Sequence, residues 1–235
     1  MPTWDIDEAR TLVAALHGKK QSLLAHQSMT STIDRLDYAR YHYRNIWDLF
    51  HKHFEKHQSP VDFFKTSIKD MGNDEEIELY RCIGAHVTAC VQSLHSIADI
   101  YSHAIYYALG YNLAPSPLPE DKIYLKAVKN KLANTQEHQH LAQGLSSFSS
   151  NSDFTYLDAL SNQCKHRSLI RPGIFVDLTG KQLSPYTLEF DGFIYKMNTY
   201  PRREILSFLQ QEIDRQSLCI IELGNELNAA LITAR

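Results

Sequence analysis

The run from 75 to 109 constrains this chain more than any other stretch. It contains no proline and one glycine, Gly84. At about 100° per residue, Leu79, Ile83, Val87, Leu94, Ala98, Tyr101 and Ile105 fall on one face. Arg81, Thr88, Gln92, His95, Asp99, His103 and Tyr106 fall roughly opposite. The pattern predicts one long helix, left at Gly110 by a residue suited to the left-handed conformation. Apart from its polar row the helix is very apolar, which puts it at the centre of a bundle. Part of that row is then expected to be buried, and buried polar groups need partners.

The flanking sequence reads as more helix. Residues 5–28 make one candidate, with Asp5 as a cap and only Gly18 against it. Residues 32–57 make a second, with Ile33, Leu36, Tyr43, Trp47, Phe50 and Phe54 as its apolar stripe and Pro60 as its stop. A short helix over 61–69 leads to a turn at 71–74. Residues 110–119 hold three prolines and must connect. Two shorter amphipathic helices follow at 120–133 and 136–147. Another runs from 153 to 167, capped by Asn151 or Ser152. Pro201 is expected to open the last helix, whose apolar positions are Ile205, Phe208, Leu209, Ile213, Ile220, Leu223 and Leu227.

Between 172 and 199 the period changes from helical to alternating. Strands are expected near 174–178, 186–190 and 193–198, and Asp191-Gly192 between two alternating runs is a hairpin signal. The expected architecture is mainly α. A helical bundle forms one domain over 1–235, with helices at about 5–57, 75–110, 120–167 and 201–232. A small antiparallel β meander at about 172–199 is inserted before the last helix.

With 235 residues, 43% of them apolar, the chain can bury a real core. Its net charge of −3 gives no bulk support for a dedicated nucleic-acid binder, although a local basic patch is compatible with it. The four cysteines form no CxxC pair and sit in apolar helical stretches, so they read as reduced thiols of a cytoplasmic protein. Acidic residues near the start argue against an export signal, and no apolar run is long enough for a membrane span.

Several polar groups could carry chemistry. His95, Asp99 and His103 are spaced one helical turn apart, so the carboxylate could orient a histidine as acid or base. The same spacing also fits an internal hydrogen-bond network, a solvated face, or part of a metal site that needs further ligands. Gln92 shares that row. The stretch SNQCKHRSLI supplies Asn162, Lys165, His166 and Arg167. Asn162 and His166 share a face, and Lys165 suits a helix C-terminus. Arg167 falls in line with Tyr156, Leu157, Leu160 and Cys164, so a carboxylate partner such as Asp99, Glu212 or Asp214 is expected. Cys82, His86 and Cys90 form a possible soft-metal stripe, although small core residues explain it better. His53 and His57 give only an HxxxH, and Glu137 with His140 gives half of a di-iron signature. No phosphate-binding loop or nucleophile elbow is visible, and no cofactor is implied.

Arg81 and His86, in RCIGAH, resemble the Arg-to-His motif of the HEPN superfamily of bacterial and archaeal helical domains. The resemblance implies a helical, often dimeric protein directed at RNA, with many members acting as metal-independent RNases in defence and toxin systems. It implies that Arg81 steadies phosphate charge and that His86 moves the proton of a 2′-hydroxyl. The pieces SLHSIADIYSHAIYYAL, FTYLDALSNQCKHRSLI and FLQQEIDRQ also look similar to uncharacterised bacterial helical proteins with an N-x-x-K-H-R block. Two readings follow. One is an RNA-directed protein, active or decayed, and the other is a non-enzymatic helical module for a protein partner or a small anionic ligand. A homodimer is compatible with both.

Overall fold

The computed structural model describes residues 3–56, 59–69, 74–181 and 184–235. Among these it contains eight α-helices and five short strands. The helices are α1 (Ile6–His17), α2 (Lys19–Phe54), α3 (Pro60–Lys69), α4 (Asp74–Ala108), α5 (Leu125–Ala133), α6 (Gln139–Ser149), α7 (Ser152–His166) and α8 (Ile205–Thr233). The strands are β1 (Pro172–Val176), β2 (Tyr186–Phe190), β3 (Phe193–Tyr195), β4 (Asn198–Tyr200) and β5 (Arg203–Glu204). The protein is thus mainly α, with a small antiparallel sheet before the last helix.

The long helix forms as the sequence predicts. Ile83, Leu94, Tyr101 and Ile105 are fully buried, and Gly110 leaves the helix at φ +67°. The first two helices divide differently from the expected 5–28 and 32–57. The chain breaks at Gly18, where φ is +84°, a value an L side chain resists. It then runs unbroken through the Ser/Thr-rich stretch near 30. There Thr30 and Thr32 donate to the His26 and Ser28 carbonyls one turn back, so the hydroxyls are satisfied without ending the helix.

The β segment also departs from the expected pairing. Asp191-Gly192 does not join two paired strands. β2 pairs with β1 and β5 in a three-stranded sheet, and β3 pairs with β4 in a separate ribbon. The tight turn is Lys196-Met197, with φ of +48° and +65°. Two positive φ values match the right-handed twist of a two-residue hairpin. Arg203 and Glu204 are used as a strand, so α8 starts at Ile205 rather than at Pro201. The Glu204 carboxylate caps it by accepting from the Leu206 and Ser207 amides at 3.0 and 2.6 Å. The turn expected at 71–74 falls largely outside the described residues.

Contacts divide the chain into two compact units. The first runs to Asp37, over Ser93–Thr155 and from Ile213 onward, and the second takes Tyr38–Gln92 and Tyr156–Glu212. The first unit packs Val13, Met29, Leu94, Ile97, Leu145, Phe148 and Leu227. The Tyr101 hydroxyl, fully buried, donates to the Ile220 carbonyl at 3.1 Å. The second unit centres on an aromatic group in which Tyr156 meets Phe190, Phe193, Tyr200 and Phe208. Phe54 stacks on Tyr186 with centroids 4.0 Å apart.

Candidate functional site

In the second unit, α2 and α4 bring two histidines together edge to edge, their rings tilted 46° to one another. Nδ1 of His42 lies 2.9 Å from Nδ1 of His86, and the ring centroids are 5.2 Å apart. Both rings are half-buried. The Tyr41 ring is near both, with centroids 5.3 Å from His42 and 6.4 Å from His86. Burial first, and then the charge of His86, hold His42 below its ordinary value. Local helical patterning explains the placement. His42 sits one turn from buried Ile46 on α2, and His86 sits one turn from buried Ile83 and Cys90 on α4, so packing of the apolar rows brings the two rings together.

The short contact has a definite chemical consequence. Two ring nitrogens at hydrogen-bond distance share one proton, so one Nδ1 donates and the other accepts. In the neutral pair, the donor ring leaves its Nε2 bare and the acceptor ring carries a proton on its Nε2. The pair therefore presents one base and one acid at the same time.

No family model, curated protein or solved structure matches this chain.

The other candidates from the sequence are placed as follows. Arg81 is exposed and paired with Glu78 one turn earlier. Asp99 is exposed, and its Oδ1 accepts from the Leu125 amide at 2.9 Å. That contact caps α5, whose preceding residue, Tyr124, offers no side-chain cap. His103 is half-buried with its ring against Tyr107, and His95 and Gln92 are also half-buried. His95, Asp99 and His103 belong to the first unit, and Gln92, Arg81 and His86 belong to the second.

Asn162, Lys165, His166 and Arg167 also belong to the second unit. Asn162 donates back to the carbonyl and carboxylate of Asp158, both at 2.9 Å. Lys165 and His166 are exposed at the last turn of α7. Arg167 does not face the core. The helix ends at His166, so the helical projection stops applying, and the exposed guanidinium rests 5.0 Å from the centre of the Tyr195 ring.

Among the described residues no three His, Cys, Asp or Glu side chains are grouped to hold a metal. Cys90 is buried, its thiol pushed up to about 12 by burial and directed at the Ala39 carbonyl. His53 packs edge-on against Phe63, and His57 lies outside the described residues. His138 bonds Tyr111, with 2.7 Å between Nδ1 and the hydroxyl. Sequence reasoning missed His42. It stands on a different helix from His86, and no spacing rule links positions so far apart.

Proposed function

We propose that this protein is an RNA-directed, metal-independent endoribonuclease that works through the His42–His86 pair. The observation that carries the reading is the hydrogen bond between the two Nδ1 atoms. The bare Nε2 takes the proton of a ribose 2′-hydroxyl, and the 2′-oxygen forms a bond to phosphorus. The bond from phosphorus to the 5′-oxygen breaks, and the leaving oxygen takes the proton from the other Nε2. The shared Nδ1 proton crosses to the second ring in the same step. Both rings finish neutral with their tautomers exchanged, and the products are a 2′,3′-cyclic phosphate and a 5′-hydroxyl. The exchanged pair is set to run the reverse roles with water. The lowered His42 value supports this reading, because it favours the neutral His42 ring that the proton exchange requires.

Arg81 is the group that the resemblance assigns to phosphate. Its pairing with Glu78 is solvent-exposed, and such pairs are worth about 1 kcal/mol or less, so it can exchange for a phosphate. A five-residue step turns Arg81 about 140° from His86 on the helix. The acid–base work therefore falls to the two histidines.

The test is cleavage of a labelled RNA strand by purified protein in excess chelator. Loss of about 100-fold or more is expected in His42→Ala and in His86→Ala, with a smaller loss in Arg81→Ala. A wild-type protein that leaves the strand intact sinks the reading.

The second reading, a binding module, is favoured by a groove of about 650 Å³ between α5 and α6. Lys129, Asn130, Gln139, Gln143, Ser146 and Ser147 line it together with two alanines, and no carboxylate does among the described residues. An ammonium with amide and hydroxyl donors suits a small anion. Calorimetry with a sugar phosphate, on wild type and Lys129→Glu, tests it; equal heats from both proteins would sink it.

A further inference from the structure

We infer that Tyr41 is the base-stacking platform of this site, and that the substrate is RNA whose bases are unpaired. The inference rests on the RNA-directed reading and extends it to substrate class. Tyr41 is 59% exposed although its ring lies near both histidines. Tyr38, one turn earlier on α2, is 54% exposed. Both tyrosines are thus open to solvent on the same stretch of helix, and Tyr41 is the one whose ring lies beside the acid–base pair.

A base stacked on an exposed aromatic ring gains roughly 1–3 kcal/mol whatever its identity. A base held on Tyr41 brings its ribose, and so a 2′-hydroxyl, to the histidines. Paired bases already stack on one another and cannot offer a face, so a duplex is excluded.

Charge does not supply the recognition. Arg35, Arg44 and Lys52 are exposed on this part of α2, and so are Asp34 and Asp48. Mixed signs make a poor track for a polyanion. Binding through stacking should therefore depend weakly on salt, with a slope of about −1 or shallower in log K against log salt.

The experiment uses a fluorescent single strand with 2′-O-methyl riboses, which binds but has no hydroxyl to attack. Anisotropy is followed with wild type, Tyr41→Ala and Tyr41→Phe, each checked for helical content by circular dichroism. The strand is expected to bind wild type, the matching duplex at least tenfold more weakly. Tyr41→Ala should lose at least tenfold, and Tyr41→Phe should stay within about twofold. No binding by wild type, equal binding by Tyr41→Ala, equal binding of duplex, or a steep salt slope would overturn the proposal. So would a wild-type dimer that Tyr41→Ala splits, since the ring would then be a contact between two copies. The two readings fail separately. If the methylated strand binds through Tyr41 but its 2′-hydroxyl counterpart is never cut, the endoribonuclease falls and the platform stands. If cutting persists in full in Tyr41→Ala, the platform falls alone.

Discussion

The indole of Trp4 lies directly against Gly224 of α8, so close that a Cβ there would run into the ring. The indole N–H also donates to Asn228 Oδ1 at 3.2 Å, and its ring meets Tyr101 edge-on. Alanine in place of a helical glycine ordinarily gains up to about 1 kcal/mol. Overpacking against a rigid ring costs about 1–3 kcal/mol. Gly224→Ala is therefore expected to lower the melting temperature by several degrees, and Trp4→Leu in the same chain to recover part of the loss. A thermal melt followed by circular dichroism measures both. An unchanged or raised melting temperature in Gly224→Ala would mean that the ring has room to move.

Asp99 caps α5 through the Leu125 amide, and a structural role predicts a particular pattern of variants. Asp99→Ala should cost about 0.5–2 kcal/mol, and Asp99→Asn, which keeps an acceptor oxygen, should cost less. The cleavage proposed above, measured per folded molecule, is expected to be unchanged in both. A large activity loss with unchanged stability would restore Asp99 to the catalytic machinery.

Lys196 and Met197 hold positive φ without being glycine, and this conformation costs free energy. Replacing the pair with Asn-Gly, which suits such a turn, should stabilise the β3–β4 ribbon by about 1 kcal/mol. Slower amide exchange at Phe193 and Tyr200 is the readout. Faster exchange there would show that the two native residues make compensating contacts.

The lowered value of His42 ties stability to pH. The folded state refuses a proton that the unfolded chain takes near 6.5, so the unfolded state binds more protons in that window. Stability is full above about 6.5 and is lost as pH falls below it toward the folded value. His17 and His138, also lowered by burial, act with the same sign. Melting temperature should therefore drop between about pH 7.5 and 5.5, and His42→Gln should flatten the slope. A steeper slope in that variant would contradict the assignment.

Glu226 has the opposite sign. Burial raises its carboxyl above 4.5, and its Oε2 is buried without a hydrogen-bond partner among the described residues. Stability contributed by its protonated form is lost as pH rises through the raised value. Glu226→Gln should therefore raise the melting temperature at neutral pH and leave it little changed near pH 4. The reverse order of effects would show that the carboxylate is well solvated.

Much of the fold was legible from local pattern. The apolar row of α4, the αL exit at Gly110, a cap at Asn151 or Ser152 and the alternating segment before α8 each rest on residues a few positions apart, where helix and strand geometry act directly. Asn151 Oδ1 does accept from the Asp153 amide, at 2.6 Å. Local pattern went astray where longer-range contacts decided the outcome. β2 reached back to β1 and forward to β5, so Asp191-Gly192 became a crossing between two small sheets. Arg167, projected along a helix that had already ended, met Tyr195 in the hairpin instead of a core carboxylate. Residues 19–54 stayed one helix because a single glycine provided the break earlier.

The candidate site divides in the same way. By itself the sequence determined that His86 stands on a long amphipathic helix, because the spacing of apolar side chains fixes which face each residue takes. Only the tertiary structure decided that His42 meets it at 2.9 Å and that Tyr41 lies near both. The contact joins two helices whose approach is set by side-chain packing between them, and no property of either helix alone encodes that distance.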